Sequence, residues 1–157
     1  MRLGVISDTH GTLRPAVFDV FAEVDHILHA GDIGGLELLA ELEALAPVTA
    51  VYGNTDGFPV RSRCPQVARI ELEGSPIVVT HGDQFGSPTP DTLVVAFPEA
   101  EIIVFGHTHD AVLELRDYTV TVMNPGSAGP VAPGAKPSVG IVELEAGIPA
   151  RARIVSL

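Results

Sequence analysis

Five short apolar runs, each closed by polar residues of ligand type, constrain this chain more than any other feature. They are "LGVIS" (3–7), "HILHA" (26–30), "TAVY" (49–52), "IVVT" (77–80) and "IIVF" (102–105). The clusters that follow are "DTH" (8–10), "GD" (31–32), "GN" (53–54), "HG" (81–82) and "GHTH" (106–109). Continuous apolar runs of this length suit strands covered on both faces. Helix-like segments, "RPAVFDVFAE" (14–23) and "LELLAELEALA" (36–46), separate the first three runs. Thr12 is a candidate cap for the first helix and Pro15 suits its first turn, while Pro47 ends the second. The stripe Leu36, Leu39, Leu42 and Ala46 reads as core contact. The order β-α-β-α-β implies parallel strands, whose carboxyl ends share one edge where ligands bind. The anchors Asp8, Asp32, Asn54, His81 and His107, spaced 22 to 27 residues apart, are therefore expected to converge.

The later chain has a different character. "ARIELE" (68–73) alternates apolar and polar residues and turns at Gly74-Ser75 into "PIVVT". "AVLEL" with "YTVTV", and "VGIVELE" with "ARARIVSL", read as two more antiparallel pairs. The Pro/Gly-rich stretch 124–138 reads as a long surface loop. Together these predict an α/β fold with a mixed sheet or two packed sheets. A length of 157 residues with 46% apolar content supports one domain, 1–157, with a core that needs no disulfides. The single cysteine, Cys64, reads as a small packed residue, and with Asp8 interrupting the apolar start it points to a cytoplasmic protein. No run approaches the roughly 18–20 apolar residues of a membrane span, so no membrane association is expected. A formal net charge of −11 argues against a long nucleic acid as partner. A small anion stays compatible, because bound metal can reverse the local field.

Gathered at one edge, Asp8, His10, Asp32, Asn54, His81, His107 and His109 offer two carboxylates, an amide oxygen and four imidazoles. That donor set, free of thiolate, suits divalent manganese, iron, nickel or zinc. Seven donors exceed one mononuclear site and imply two metals that share a carboxylate. Taken singly, "GD" and "GN" are ordinary turn chemistry, and Asp8-x-His10 fits a helix cap beside a surface histidine. If "GHTH" is extended, residues i and i+2 share a face and both histidines can point into the crevice. Four of the six histidines fall in these clusters, so the joint pattern carries the reading. His29 is expected to be buried and hydrogen-bonded, with support of Asp32 as the functional alternative. His26 receives no functional role.

The ordered set "DTH…GD…GN…THG…GHTH" resembles the calcineurin-like metallophosphoesterase superfamily, and "NPGS" at 124–127 with the short length resembles its small bacterial and archaeal phosphodiesterases. The resemblance implies a four-layer αββα sandwich of two mixed β-sheets flanked by helices. It further implies that Asp8, His10 and His109 bind one metal, that Asn54, His81 and His107 bind a second, and that Asp32 bridges them. Manganese leads the implied cofactors, followed by nickel, iron and zinc. The implied reaction is hydrolysis of a small phosphoester, most simply a phosphodiester, by in-line attack of a hydroxide held between the ions. Asn54 and Asp32 are the residues expected to act in catalysis, Asn54 by offering its oxygen to a metal and its NH₂ to a phosphate oxygen. Asp56 is a candidate for orienting its neighbours.

One departure is visible. Many members have histidine after the asparagine, where it protonates the leaving group. Here "GNTD" places Thr55, which has no useful acidic pKa. The alternative is a catalytically weak, metal-binding interaction scaffold of the same fold. A metal-dependent amide hydrolase would use the same activated water but lacks the motif support. Loops 57–66, 83–90 and 124–138 would choose the substrate. A homo-oligomer is left open.

Overall fold

The structure is a computed structural model that describes residues 1–157. Its first half runs β1 (Arg2–Ile6), α1 (Pro15–Val20), β2 (His26–His29), α2 (Leu36–Glu43), β3 (Val48–Ala50), α3 (Phe58–Arg63), β4 (Val67–Leu72) and β5 (Ser75–Thr80). A single 3₁₀ turn, Asp83–Phe85, then precedes α4 (Pro90–Ala96) and β6 (Ile102–Val104). The chain ends with β7 (Ala111–Arg116), β8 (Val120–Pro125), β9 (Ser138–Glu145) and β10 (Ile148–Ser156). Two five-stranded sheets result, in the orders β10-β9-β1-β2-β3 and β4-β5-β6-β8-β7. Both are mixed: β1, β2 and β3 are parallel, as are β5, β6 and β8, while β9, β10, β4 and β7 run antiparallel to their neighbours.

Three apolar layers hold the sandwich together. Val17 and Phe21 around α1, Leu39 and Leu42 of α2, and Val60 of α3 pack with Ile6 and Ile27 on one outer face. Leu3, Val5, Leu28, Ile77, Val79, Ile102, Val104 and Met123 fill the space between the sheets. Leu93 and Phe97 at α4 cover Val78, Ile103 and Val122 on the other outer face. The αββα architecture expected from the sequence is thus present. Burying each of these large side chains is worth about 2 kcal/mol, and the parallel strands that they clamp all deliver their carboxyl ends to one edge.

Several local expectations need correction. α1 is shorter than 14–23, and the residue before it is Arg14 with no side-chain cap, so Thr12 does not cap it. The expected stripe of α2 does face the core, with Leu39, Leu42 and Ala46 buried and Leu36 packed against them, and Leu38 joins it. β3 spans 48–50 rather than 49–52, although Val51 N–H still bonds His29 O just past its end, while Tyr52 N–H turns to Pro65 O. The β4–β5 hairpin turns at Glu73-Gly74, both at positive φ, and not at Gly74-Ser75. Segments 57–66 and 83–90 hold α3 and the 3₁₀ turn. The stretch 124–138 is not all surface loop: Asn124 to Gly129 are buried, because they continue β8 and pack under the chain at Asp8 and Thr9.

Candidate metal centre

Five of the seven ligand candidates adopt left-handed backbone conformations: Asp8 (φ 54°), His10 (46°), Asp32 (51°), His107 (71°) and His109 (62°). Asp and His are among the few side chains that tolerate this region, and such strain collects at functional sites. Each strand therefore ends abruptly, and its polar residue stands at the common sheet edge. Two motif glycines make the crowding there feasible. A Cβ at Gly53 would lie 2.1 Å from Asp32 Oδ1, and one at Gly106 would lie 2.1 Å from Ser7 Oγ and 2.9 Å from Asp8 Oδ2.

All seven predicted residues come together. The donor atoms of Asp8, His10 and His109 lie within 4.8 Å of one another, as do those of Asp8, Asp32 and His81. His109 Nε2 is 3.2 Å from Asp8 Oδ1. Asp32 Oδ2 stands 3.3 Å from His81 Nε2 and 3.7 Å from His10 Nε2, so one carboxylate faces both groups. Asn54 Oδ1 is 3.1 Å from His81 Nε2 and 3.1 Å from His107 Nδ1. The Nδ1–H of His81 donates to Ala30 O at 2.8 Å, which orients the ring and turns Nε2 to the centre.

The donors fit divalent cations on an observation of the structure itself. Asp8 Oδ1 and His10 Nε2 are buried and have no hydrogen-bond partner, the former despite its approach to His109. Buried polar atoms are rarely left so, and an ion between them would satisfy both. The fully buried Asp8 carboxyl is pushed above the usual range by desolvation, against the pull of Ser7, His81 and His109. Burial also pushes Asp32 up, but the hydrogen bonds from His81 and Thr55 outweigh it and hold Asp32 well below the usual range. His81 is held high, since Asp32 and Asp8 outweigh the opposing effect of burial. His10 and His107 are half-buried, and Asn54 and His109 are exposed, so the edge is open to a ligand from solvent.

A bracing layer surrounds these groups. Buried Asp56 accepts the backbone N–H of Ile33 (3.1 Å), Gly34 (2.9 Å) and Gly53 (2.9 Å), which locks the Asp32 turn to the Asn54 turn. Thr55 gives its N–H to Asp32 Oδ1 at 2.9 Å and is itself exposed. His29 is fully buried; Nδ1 accepts from Gly31 N–H at 3.2 Å and Nε2 donates to Thr9 Oγ1 at 2.9 Å, whose hydroxyl donates to Ile33 O. Its role is to shape the backbone of the Asp32 turn rather than to touch the Asp32 carboxylate. His26 Nε2 pairs with Thr49 Oγ1 at 2.8 Å on the flank of the sheet. Cys64 is buried in the outer core, and desolvation raises its thiol pKa.

Sequence reasoning missed four contributors. Ser7 donates to Asp8 Oδ2 at 2.6 Å, and Ser127 donates to Asp8 O at 3.0 Å. Asn124 Nδ2 reaches Gly106 O and Thr108 Oγ1, each at 3.0 Å, and so steadies the "GHTH" turn. Arg61 of α3 donates to the carbonyls of Asp56, Gly53 and Asn54. The one signal available for Asn124 and Ser127 was their place in "NPGS", beside an apolar strand.

Comparison with known proteins gives a consistent result. A family model described as the calcineurin-like phosphoesterase superfamily domain matches residues 1–147. A probable metallophosphoesterase from Methanothermobacter thermautotrophicus is 36% identical over 156 residues, covering 92% of this chain and 87% of that protein. Phosphodiesterase YfcE of Escherichia coli K12 is 32% identical over 169 residues, covering 91% and 88%. Wild-type Vps29 from Entamoeba histolytica complexed with zinc superimposes with a TM-score of 0.82 at 21% identity, over 99% of both chains, a likeness of fold.

Proposed function

The chain belongs to the calcineurin-like phosphoesterase superfamily, and from that premise we propose that it is a two-metal phosphodiesterase acting on a small phosphoester. The observation that supports this reading is the convergence of seven donor side chains at one sheet edge, with Asp8 close to His10 and His109, Asp32 close to Asp8 and His81, and Asn54 close to His81 and His107, around buried donor atoms without partners. Asp8, His10 and His109 would hold one ion, Asn54, His81 and His107 the second, and Asp32 both. Manganese is the first choice, because carboxylate, amide and imidazole donors without thiolate suit it. When bound, the ions would supply Lewis acidity and a water acidic enough to ionise near neutral pH.

The chain's own residues do the rest. With two dications bound, the two carboxylates would leave the edge positive by about two charges, which would draw a phosphate to this place on an otherwise acidic surface. The Asn54 NH₂ is free to donate to a phosphoryl oxygen while its carbonyl faces the imidazoles. Asp56, through three backbone N–H groups, keeps Asp32 and Asn54 at fixed separation. The position after Asn54 supplies no acid to protonate a leaving group, since Thr55 stands there. Esters with good leaving groups are therefore the preferred substrates. The name of phosphodiesterase YfcE supports the diester assignment. The inter-sheet core shared by both sheets supports treating 1–157 as one domain, and the lone cysteine accords with a cytoplasmic setting. No helix is long and apolar enough to cross a membrane.

Hydrolysis of an activated diester and of its monoester by metal-stripped protein, with manganese, nickel, zinc or magnesium restored, tests the reading. Metal-dependent turnover that favours the diester supports it. Folded protein that binds two ions and turns over neither ester would transfer the assignment to a metal-binding interaction scaffold. Thr55→His should speed esters with poor leaving groups and leave activated ones unchanged; equal rates on both would remove protonation as the limiting step.

A further inference from the structure

The sheets have four edge strands, and three of them are blunted. β4 exposes Arg69 and Glu71, β10 exposes Arg151 and Arg153 with Pro149 at its start, and β3 is only three residues long. Charge, proline and shortness are the usual devices that keep a sheet edge from pairing with another chain. β7 carries charge only at Glu114 and Arg116, which pair with each other and with Asp91 on the other face, and its most exposed positions, Ala111, Leu113 and Leu115, are apolar; the two leucines are 40% and 57% exposed.

The free main-chain groups of β7 belong to those same residues. Thr121 N–H bonds Glu101 O and Met123 O accepts from Phe105 N–H, so the odd-numbered residues of β8 serve the β6 side. Even-numbered residues of β8 therefore bond β7, and the register Val112↔Asn124, Glu114↔Val122 and Arg116↔Val120 makes these the hydrogen-bonded pairs. The N–H and C=O of Ala111, Leu113 and Leu115 consequently point away from the sheet. Their side chains lie on the inter-sheet side, where Leu113 and Leu115 border a cavity of about 190 Å³ with Ala150 and Ala152.

We propose that this chain forms a two-fold dimer in which β7 pairs antiparallel with β7 of a second copy, Leu113 opposite Leu113. Charge selects this register among those that use the free groups. Centring the pairing on Glu114 would set two glutamates against each other, and like charges directly opposite are destabilising. Centring it on Leu115 would leave Ala111 unpaired and place Leu113 against Asp117. Centred on Leu113, the pairing engages Ala111 with Leu115 and brings Asp110 beside Arg116 of the second copy, which already pairs with Asp91 and Glu114 of its own chain, so opposite charges and no like pair face each other on each side of the two-fold axis. Such an isologous contact is the commonest way for identical chains to associate.

Sedimentation velocity over a range of protein concentrations tests the dimer. Wild-type protein should sediment as a dimer, and Leu113→Lys, checked for folding by circular dichroism and metal content, should raise its dissociation constant about tenfold or more. Leu113→Cys keeps the proposal testable if lysine unfolds the strand. Opposed Cα atoms in such a pair lie about 5.5 Å apart, within disulfide range. Mild oxidation should therefore link two copies through Leu113→Cys but not through Leu115→Cys, and buried Cys64 should not compete. Monomeric wild-type protein at every concentration, a dimer indifferent to Leu113→Lys, or a dimer that Leu113→Cys cannot cross-link would overturn the proposal.

Discussion

At the metal edge and at the hairpin end of the sheets the chain turns through the same left-handed backbone region, with opposite freedom to change. The hairpin end carries Glu73, Gly74, Asp117, Tyr118 and Gly147 at φ between 47° and 80°. Nothing lies within 4 Å of a Cβ added at Gly74 or Gly147, so those conformations serve only to reverse the chain. At the metal edge Asp8, His10, Asp32, His107 and His109 share the conformation, but neighbours constrain the backbone from several sides. Asp56 grips the Asp32 and Asn54 turns, Asn124 grips the "GHTH" turn, and Ser7 and Ser127 grip Asp8. Strained backbone persists where its surroundings over-determine it. The contrast therefore separates turns that aim chemistry from turns that merely connect strands.

The largest break in this comparison should come from the residue that faces both donor groups. Asp32→Ala is expected to lower diester turnover at least about 100-fold and to reduce bound metal, read by kinetics and by metal analysis of the purified protein. Unchanged values of both would sink the two-metal reading. Next comes Asp56→Ala, which strands three buried N–H groups; a loss of about 3 kcal/mol in unfolding free energy is expected from denaturant titration. A smaller cost, about 2 kcal/mol, is expected for Gly53→Ala, because its Cβ must displace the Asp32 carboxylate. Gly147→Ala, at φ 76° in open space, should cost about 1 kcal/mol and leave metal content untouched. Equal effects of the two glycine substitutions on metal affinity would erase the distinction between the ends.

Acidification probes the bracing layer from another direction. Burial lowers the His29 pKa to about 3 from an ordinary 6.5, so between those values the unfolded chain binds more protons than the folded one. Stability therefore falls as pH falls through this window, by about 1 kcal/mol between pH 6.5 and about 5.5 from this residue. His29→Gln should flatten that part of the profile, as followed by thermal unfolding at several pH values. A profile unchanged in slope would show that His29 takes up its proton without unfolding the Asp32 turn. The smallest effect is expected at the hairpin end, with the opposite sign. Glu73→Asn creates an Asn-Gly pair suited to two successive positive φ values and should stabilise by about 0.5 kcal/mol.

The seven donors could be read from the sequence because each follows an apolar run directly, so strand topology alone predicts that they meet. Asp56 was suggested by its place next to the "GN" pair. The bracing residues were illegible for a physical reason: Ser127 acts on a carbonyl 119 residues away and Asn124 on a turn 18 residues upstream, and neither contact leaves a local pattern. The helices α3 and α4, of six and seven residues, are too short to display a 3.6-residue period. Division of the apolar runs between two sheets was visible only as a change of strand character. Burial of 124–129 depends on packing under Asp8, which a Pro/Gly-rich composition disguises.

Titration of metal-free protein with manganese, with bound metal and diester hydrolysis followed together, separates a two-metal enzyme from its alternatives. Two ions should bind per chain, with hydrolysis rising as the second equivalent binds and both events lost in Asp32→Ala. Saturation at one ion with full activity, or two bound ions with no hydrolysis, would contradict the two-metal reading.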